Sequence, residues 1–136
     1  VATLKLEILT PGAVIFEGDV ESVLLPGAEG EMGVLPQHEA MITELLPGEV
    51  RIVQNGKTTV LAIGEGFAEI TGQNVAILTE GAVDEKEIDE KAAEEAVKRA
   101  EELLASNTLE GEELEATQAI VARSLAQINL KRRRRA

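Results

Sequence analysis

The sequence predicts a mainly β plus α chain. An N-terminal flattened antiparallel β-sandwich or barrel occupies residues 1–83, and a C-terminal antiparallel two-helix hairpin with a basic tail occupies residues 84–136. Three observations carry this. Short period-two runs recur at roughly 8–12 residue spacing through the first part, punctuated by Gly, Pro and Asn turns. Glycine and proline then vanish between Asp84 and Asn107. Beyond Asp84 the apolar residues recur at three-to-four spacing, the period of one helix face.

In the first part, Leu4, Leu6 and Ile8 alternate with Lys5 and Glu7, as in a half-buried strand. Thr10-Pro11-Gly12 turns the chain, and Val14-Ile15-Phe16 follows before Gly18. Val20, Ser22 and Leu24 alternate with Glu21 and Val23 until Pro26-Gly27. Residues 29–38 contain Gly30, Gly33 and Pro36, and read as loop with at most a short strand. Met41-Ile42 and Leu45-Leu46 lie in the next strand, which Pro47-Gly48 breaks. Val50, Ile52 and Gln54 alternate with Arg51 and Val53. Asn55-Gly56 is the strongest hairpin signal, because a two-residue type I′ turn needs positive φ at both positions. Val60, Ala62 and Gly64 continue the partner strand. Phe67 to Thr71 and Val75 to Thr79 form the last pair, around Gly72-Gln73-Asn74. No helix-length pattern separates these strands, which argues against a parallel βα fold.

In the second part, Asp84 or Asp89 can cap the first helix; Asp84 has Glu87 three residues on, a capping-box pattern. Ala92, Ala96 and Ala100 recur every four residues, between Ile88 and Leu104. Residues 106–111 form a turn. A second helix runs from about Glu112 to about Arg132, with Leu114, Thr117, Val121, Leu125 and Ile128 on one face and Ala116, Ala119, Ala122 and Ala126 beside it. Two such helices joined by a short turn make an antiparallel hairpin. Alanine lets helices approach closely but buries little area, and burial is worth roughly 25 cal/mol per Å². The hairpin is therefore marginal alone. It must dock onto something, and it is able to undock.

Composition narrows the function. The net charge is −12. Residues 1–83 carry 3 basic and 12 acidic side chains, residues 84–130 carry 5 and 13, and Lys131 to Arg135 add five cations. An acidic body argues against a nucleic-acid surface. Cysteine is absent, which excludes disulfides, thiolate zinc sites and cysteine nucleophiles. No signal peptide and no apolar run of ~18 residues is seen, so no membrane span is expected. His38 is the only histidine, and no histidine lies near Ser22, Ser106 or Ser124 in sequence to activate them. The segments 27–30 and 64–66 lack the helix that a phosphate-binding glycine motif requires, and read as tight turns. Most carboxylates read as a solvated face. The tail Lys131-Arg132-Arg133-Arg134-Arg135 has three readings of equal standing: complement to a helix dipole, disordered basic tail, or contact with an acidic partner. Nucleic-acid binding is weaker, since no aromatic accompanies the arginines.

The run Gly27-Ala-Glu-Gly-Glu-Met-Gly-Val-Leu-Pro-Gln-His38, followed by Leu46-Pro47-Gly48-Glu-Val-Arg51, resembles the signature of the epsilon subunit of F-type ATP synthases. Gly64-Glu-Gly66-Phe67, Asn74-Val-Ala-Ile-Leu78 and Ile88-Asp89 continue the resemblance in register, so that it covers essentially the whole chain. Gln37 stands where the family usually has Gly, and Ala40 where it often has Pro.

The resemblance implies a non-catalytic central-stalk subunit of a proton-translocating complex. It couples rotation of the membrane c-ring to the catalytic head and restrains ATP hydrolysis through mobile C-terminal helices. Its implied partners are the gamma subunit, the c-ring and the alpha and beta subunits, with no nucleic acid. Its implied place is peripheral, on the cytoplasmic face of the energy-transducing plasma membrane. Glu29, Glu31, Gly33 and His38 are carried over as stalk and c-ring contacts. Arg123, Lys131, Arg132 and Arg133 are carried over as inhibitory contacts with an acidic segment of the beta subunits. No cofactor is expected. Some members bind ATP in the folded hairpin through Ile-Asp-x-x-Arg-Ala and further arginines. Here Ile88, Asp89 and Arg99 remain as a vestigial site and Arg123 matches, but Ala92 and Gln127 replace arginines. Two lost charge-assisted contacts at ~1.5–3 kcal/mol each imply weak or absent ATP binding. The competing readings are an unrelated adaptor with a helical arm and, more distantly, an isolated enzyme.

Overall fold

The computed structural model describes residues 2–135, the side chains of Arg134 and Arg135 excepted. Ten strands come first: β1 (Leu4–Thr10), β2 (Ala13–Val20), β3 (Ser22–Gly27), β4 (Gly30–Val34), β5 (His38–Leu45), β6 (Gly48–Gln54), β7 (Lys57–Ile63), β8 (Gly66–Gly72), β9 (Asn74–Thr79) and β10 (Ala82–Asp84). A 3-10 turn (Glu85–Glu87) leads into α1 (Glu90–Ala105) and α2 (Gly111–Arg135).

The strands follow the order β10-β7-β6-β3-β5-β8-β9-β1-β2, with β4 added on β3. The sheet folds over between β3 and β5, which share the single residue pair Gly27–Leu45. One layer is thus β10, β7, β6, β3 and β4; the other is β5, β8, β9, β1 and β2. The inward residues of both layers make an aliphatic core in which Leu6, Ile8, Leu25, Leu45 and Ile77 are wholly excluded from water. Asn55 and Gly56 take φ of 53° and 77° in the β6–β7 hairpin, as a type I′ turn demands.

The structure adds to the sequence reading at four places. The stretch read as loop contains β4, held by pairs from Val23–Val34 to Gly27–Gly30. Ala82 to Asp84 forms a further strand on β7. β1 and β9 pair in parallel, a long-range contact that no local pattern announces. α1 is capped by Asp89, whose carboxylate accepts from the Ala92 amide at 3.0 Å. Asp84 instead accepts from the Lys86 amide and caps the 3-10 turn.

The helix seam also differs from the expected Ala92, Ala96, Ala100 line. Ala93, Val97 and Ala100 are the buried residues of α1, and Ala92 is exposed. Strict four-residue spacing drifts around the helix by about 40° per step, whereas the 93, 97, 100, 104 spacing stays on one face. On α2, Thr117 and Ile128 are buried as expected, but Leu125 is exposed.

Candidate functional site

Three surfaces hold the candidate contact residues. The first is the loop region from β3 to β5. Glu29 and Glu31 flank the exposed β3–β4 tip, whose Ala28 amide donates to the Glu44 carbonyl at 2.9 Å. Gly33 is exposed in β4, opposite Leu24. His38 is half-buried at the start of β5, opposite Gly72, with Nδ1 2.8 Å from the Glu39 carbonyl. These four residues do not form one cluster. Glu29 and Glu31 lie beside the end of β5 and His38 at its start, roughly 20 Å away at ~3.3 Å per residue.

The second surface is the outer face of the β5, β8, β9, β1 layer. Strand register sets Glu44, Phe67, Leu78, Leu9 and Val14 in one cross-strand row. Phe67 is 56% exposed and Leu78 51%. Ile42, 71% exposed, stands two positions before Glu44 on the same strand face. Leu9, Pro11, Phe67 and Leu78, with Glu44, Glu65 and Glu80, line a concavity of about 570 Å³. The sequence reading assigned no role to Phe67 or Leu78. Their signal was phase: Ala68 and Ile70 face the core, so the neighbouring Phe67 must face water.

The third surface is the hairpin and its seat. Val60 and Ala62 point outward from β7 and meet Leu130 of α2 and Ile88 in a small apolar cluster, with Val83 against it. Val60 to Ile63 is therefore buried on both faces. Its continuous apolar run is the sequence mark of a doubly covered strand. Cations ring this cluster. Lys131 Nζ donates to the Glu85 carbonyl at 3.2 Å. Arg132 bonds Glu90 at 3.2 Å and Glu94 at 2.9 Å on α1. The Glu90 hydrogen bond, then that of Glu94, raises the Arg132 pKa above its ordinary value. Arg133 pairs with Glu49 of β6. Arg123 donates to its own helix at the Ala119 carbonyl and lies 3.9 Å from Glu65. All four residues proposed as inhibitory contacts are thus engaged within the chain; Arg134 and Arg135 lie outside the described side chains.

The residues matched to an ATP site are not gathered into one pocket. Ile88 is in the docking cluster, and the Asp89 carboxylate is committed to the helix cap. Arg99 sits ten residues farther along, about 15 Å at 1.5 Å per residue. It lines an apolar groove of about 340 Å³ with Ala96, Leu103 and Ile120. Arg123 and Gln127 line a different cavity, of about 230 Å³, against Gly64 and Ala82. Among the described residues no cluster of three or more His, Cys, Asp or Glu is placed to hold a metal. No described helix is long and apolar enough to cross a membrane.

Residues 3–85 match the family described as ATP synthase, delta/epsilon chain, beta-sandwich domain. The chain is 45% identical to an ATP synthase epsilon chain of Pelotomaculum thermopropionicum, over 78% of this chain and 79% of the relative. It is 37% identical to ATP synthase epsilon chain 2 of Ralstonia nicotianae, over 97% of this chain and 98% of the relative. A chain in the Euglena gracilis mitochondrial ATP synthase OSCP/F1/c-ring structure superposes with a TM-score of 0.75 at 26% identity, covering 93% of this chain and 79% of that one. A chain of the Tetrahymena thermophila central stalk/c-ring structure shares the fold, with a TM-score of 0.61 at 14% identity.

Proposed function

The chain belongs to the ATP synthase epsilon chain family and is a non-catalytic subunit, and from that premise we propose that it works as both coupler and brake in the central stalk. The sandwich is the coupling platform. Its row of exposed Phe67 and Leu78 beside half-buried Leu9 is the face for the gamma subunit, because exposed apolar side chains in one row mark a protein contact. Glu29 and Glu31 at the β3–β4 tip suit a contact with the c-ring. Gly33 and His38 belong to the stalk-facing region. The assembly is peripheral, on the cytoplasmic face of the energy-transducing membrane.

The hairpin is the brake. The observation that carries this reading is the smallness of its seat: Leu130 and Ile88 on Val60 and Ala62, ringed by cations. Burial of such side chains is worth ~1.5–3 kcal/mol each, a total of a few kcal/mol that differential binding to a partner can overcome. Released from Glu49, Glu65, the Glu85 carbonyl and α1, the residues Arg123, Lys131, Arg132 and Arg133 become available to an acidic surface on the alpha and beta subunits. The test is ATP hydrolysis by the assembled complex with and without residues 84–136. The reading predicts faster hydrolysis without them; an unchanged rate removes the brake and leaves the coupling role standing.

ATP does not lock this hairpin. Ala92 faces solvent and Gln127 stands beside Arg123, so a phosphate meets few cations. Titration calorimetry with ATP is expected to show no micromolar binding.

A further inference from the structure

Glycines in this chain serve different masters. A Cβ on Gly66 would lie 1.9 Å from the Leu78 carbonyl oxygen, and one on Gly48 would lie 2.9 Å from Pro26 Cβ. Those absences serve the sandwich. Gly64 is different. A Cβ there would lie 2.7 Å from Cδ and 3.1 Å from Cγ of Arg123 on α2, and no sandwich atom comes closer than Glu80 Cβ at 3.7 Å. Among the described glycines it is the one whose missing side chain makes room for the hairpin. Its backbone is not left-handed, so the conformation itself does not demand glycine. It is buried at the end of β7, where its amide donates to the Gly81 carbonyl at 2.9 Å. Its carbonyl accepts from the Thr79 hydroxyl at 2.9 Å.

We infer that Gly64 is a notch that receives the Arg123 side chain and thereby sets how firmly the hairpin docks. This rests on the reading of the hairpin as a detachable arm and adds the residue that governs its detachment. The notch takes the methylene stem of Arg123, the part of an arginine that packs as an apolar rod, and holds the guanidinium beside Glu65. Cγ and Cδ lie in the middle of that side chain, so a new methyl cannot be avoided by moving the tip alone. A methyl on Gly64 therefore displaces the Arg123 stem and removes its packing at a point seven residues before the anchor Leu130, about two helical turns along the same face. It does so without touching the sandwich core. The same arginine then has two seats, the notch and an acidic partner, and glycine at 64 favours the first.

The test uses the intact chain. The sequence has no cysteine, so Glu39→Cys and Glu115→Cys, at two exposed positions, take spin labels cleanly, and pulsed electron resonance reads the sandwich-to-hairpin distance. Four variants are compared with the labelled parent: Gly64→Ala, Arg123→Ala, the double variant, and Leu130→Asp, which removes the apolar anchor. Gly64→Ala is expected to raise the detached population at least fivefold, while hydrogen exchange in the core strands stays unchanged. In the double variant the obstructing side chain is gone, and the distance distribution is expected to return to that of Arg123→Ala alone. A parental distribution in Gly64→Ala, or a double variant more detached than Arg123→Ala alone, overturns the notch. If Leu130→Asp detaches the hairpin and Gly64→Ala does not, only the notch falls. If Leu130→Asp also stays docked, the detachable arm falls and the notch falls with it.

Discussion

Ile77 in the sandwich has no exposed surface, while Leu125 in the hairpin leaves 42% of its surface in water. The contrast extends through both regions. In the sandwich, branched side chains from two layers meet across one continuous core. In the hairpin, the buried seam among the described residues holds Ala93, Val97, Ala100, Thr117 and Ile128, and the seat holds a handful of residues more. One chain therefore joins a platform held by area to an arm held by a few contacts. Their difference in stability is what allows one to move while the other stays folded.

The largest effect should come from the platform. Ile77→Ala removes a fully buried side chain from the shared core and is expected to cost ~2–5 kcal/mol. Denaturant unfolding followed by far-UV circular dichroism will read it as a lower midpoint with an unchanged slope. Leu130→Ala should come next, weakening docking by ~2–3 kcal/mol while the sandwich midpoint stays in place; fluorescence transfer between labels on the two regions measures it. A loss of sandwich stability in that variant would show that platform and arm are one cooperative unit. Phe67→Ser should leave the fold within about 0.5 kcal/mol, as surface changes do, yet weaken capture of the gamma subunit about tenfold. The smallest effect belongs to the pair of exposed Arg133 with Glu49, which keeps Arg51 as its second partner. Arg133→Ala should shift docking by no more than ~0.5 kcal/mol, and added salt should mimic it.

The platform was more legible in the sequence than the arm's seat. Alternation in Leu4–Ile8 and the Asn55-Gly56 turn specify local geometry directly, because a strand has period two and a type I′ turn needs those residues. The β1–β9 parallel pair was invisible, since it joins strands some seventy residues apart. On α1 the every-fourth alanine pattern met the true seam at Ala100 but missed it by one residue at Ala92 and Ala96. Alanine is compatible with both seam and surface, so its spacing decides little. At the site, Arg123 and the basic run were visible as charges, but their intramolecular partners Glu49, Glu65, Glu90 and Glu94 were not. Ion pairs between distant segments leave no periodic trace. Phe67 and Val60–Ile63 did leave one, in the phase and the continuity of their strands.

Hydrogen exchange of the intact chain, resolved by segment, tests most directly whether the arm opens independently of the platform. The account predicts two tiers: amides of α1 and α2 exchange through a low-energy opening, and those of β1, β8 and β9 exchange only through global unfolding. A single shared opening energy for helices and core strands would contradict it.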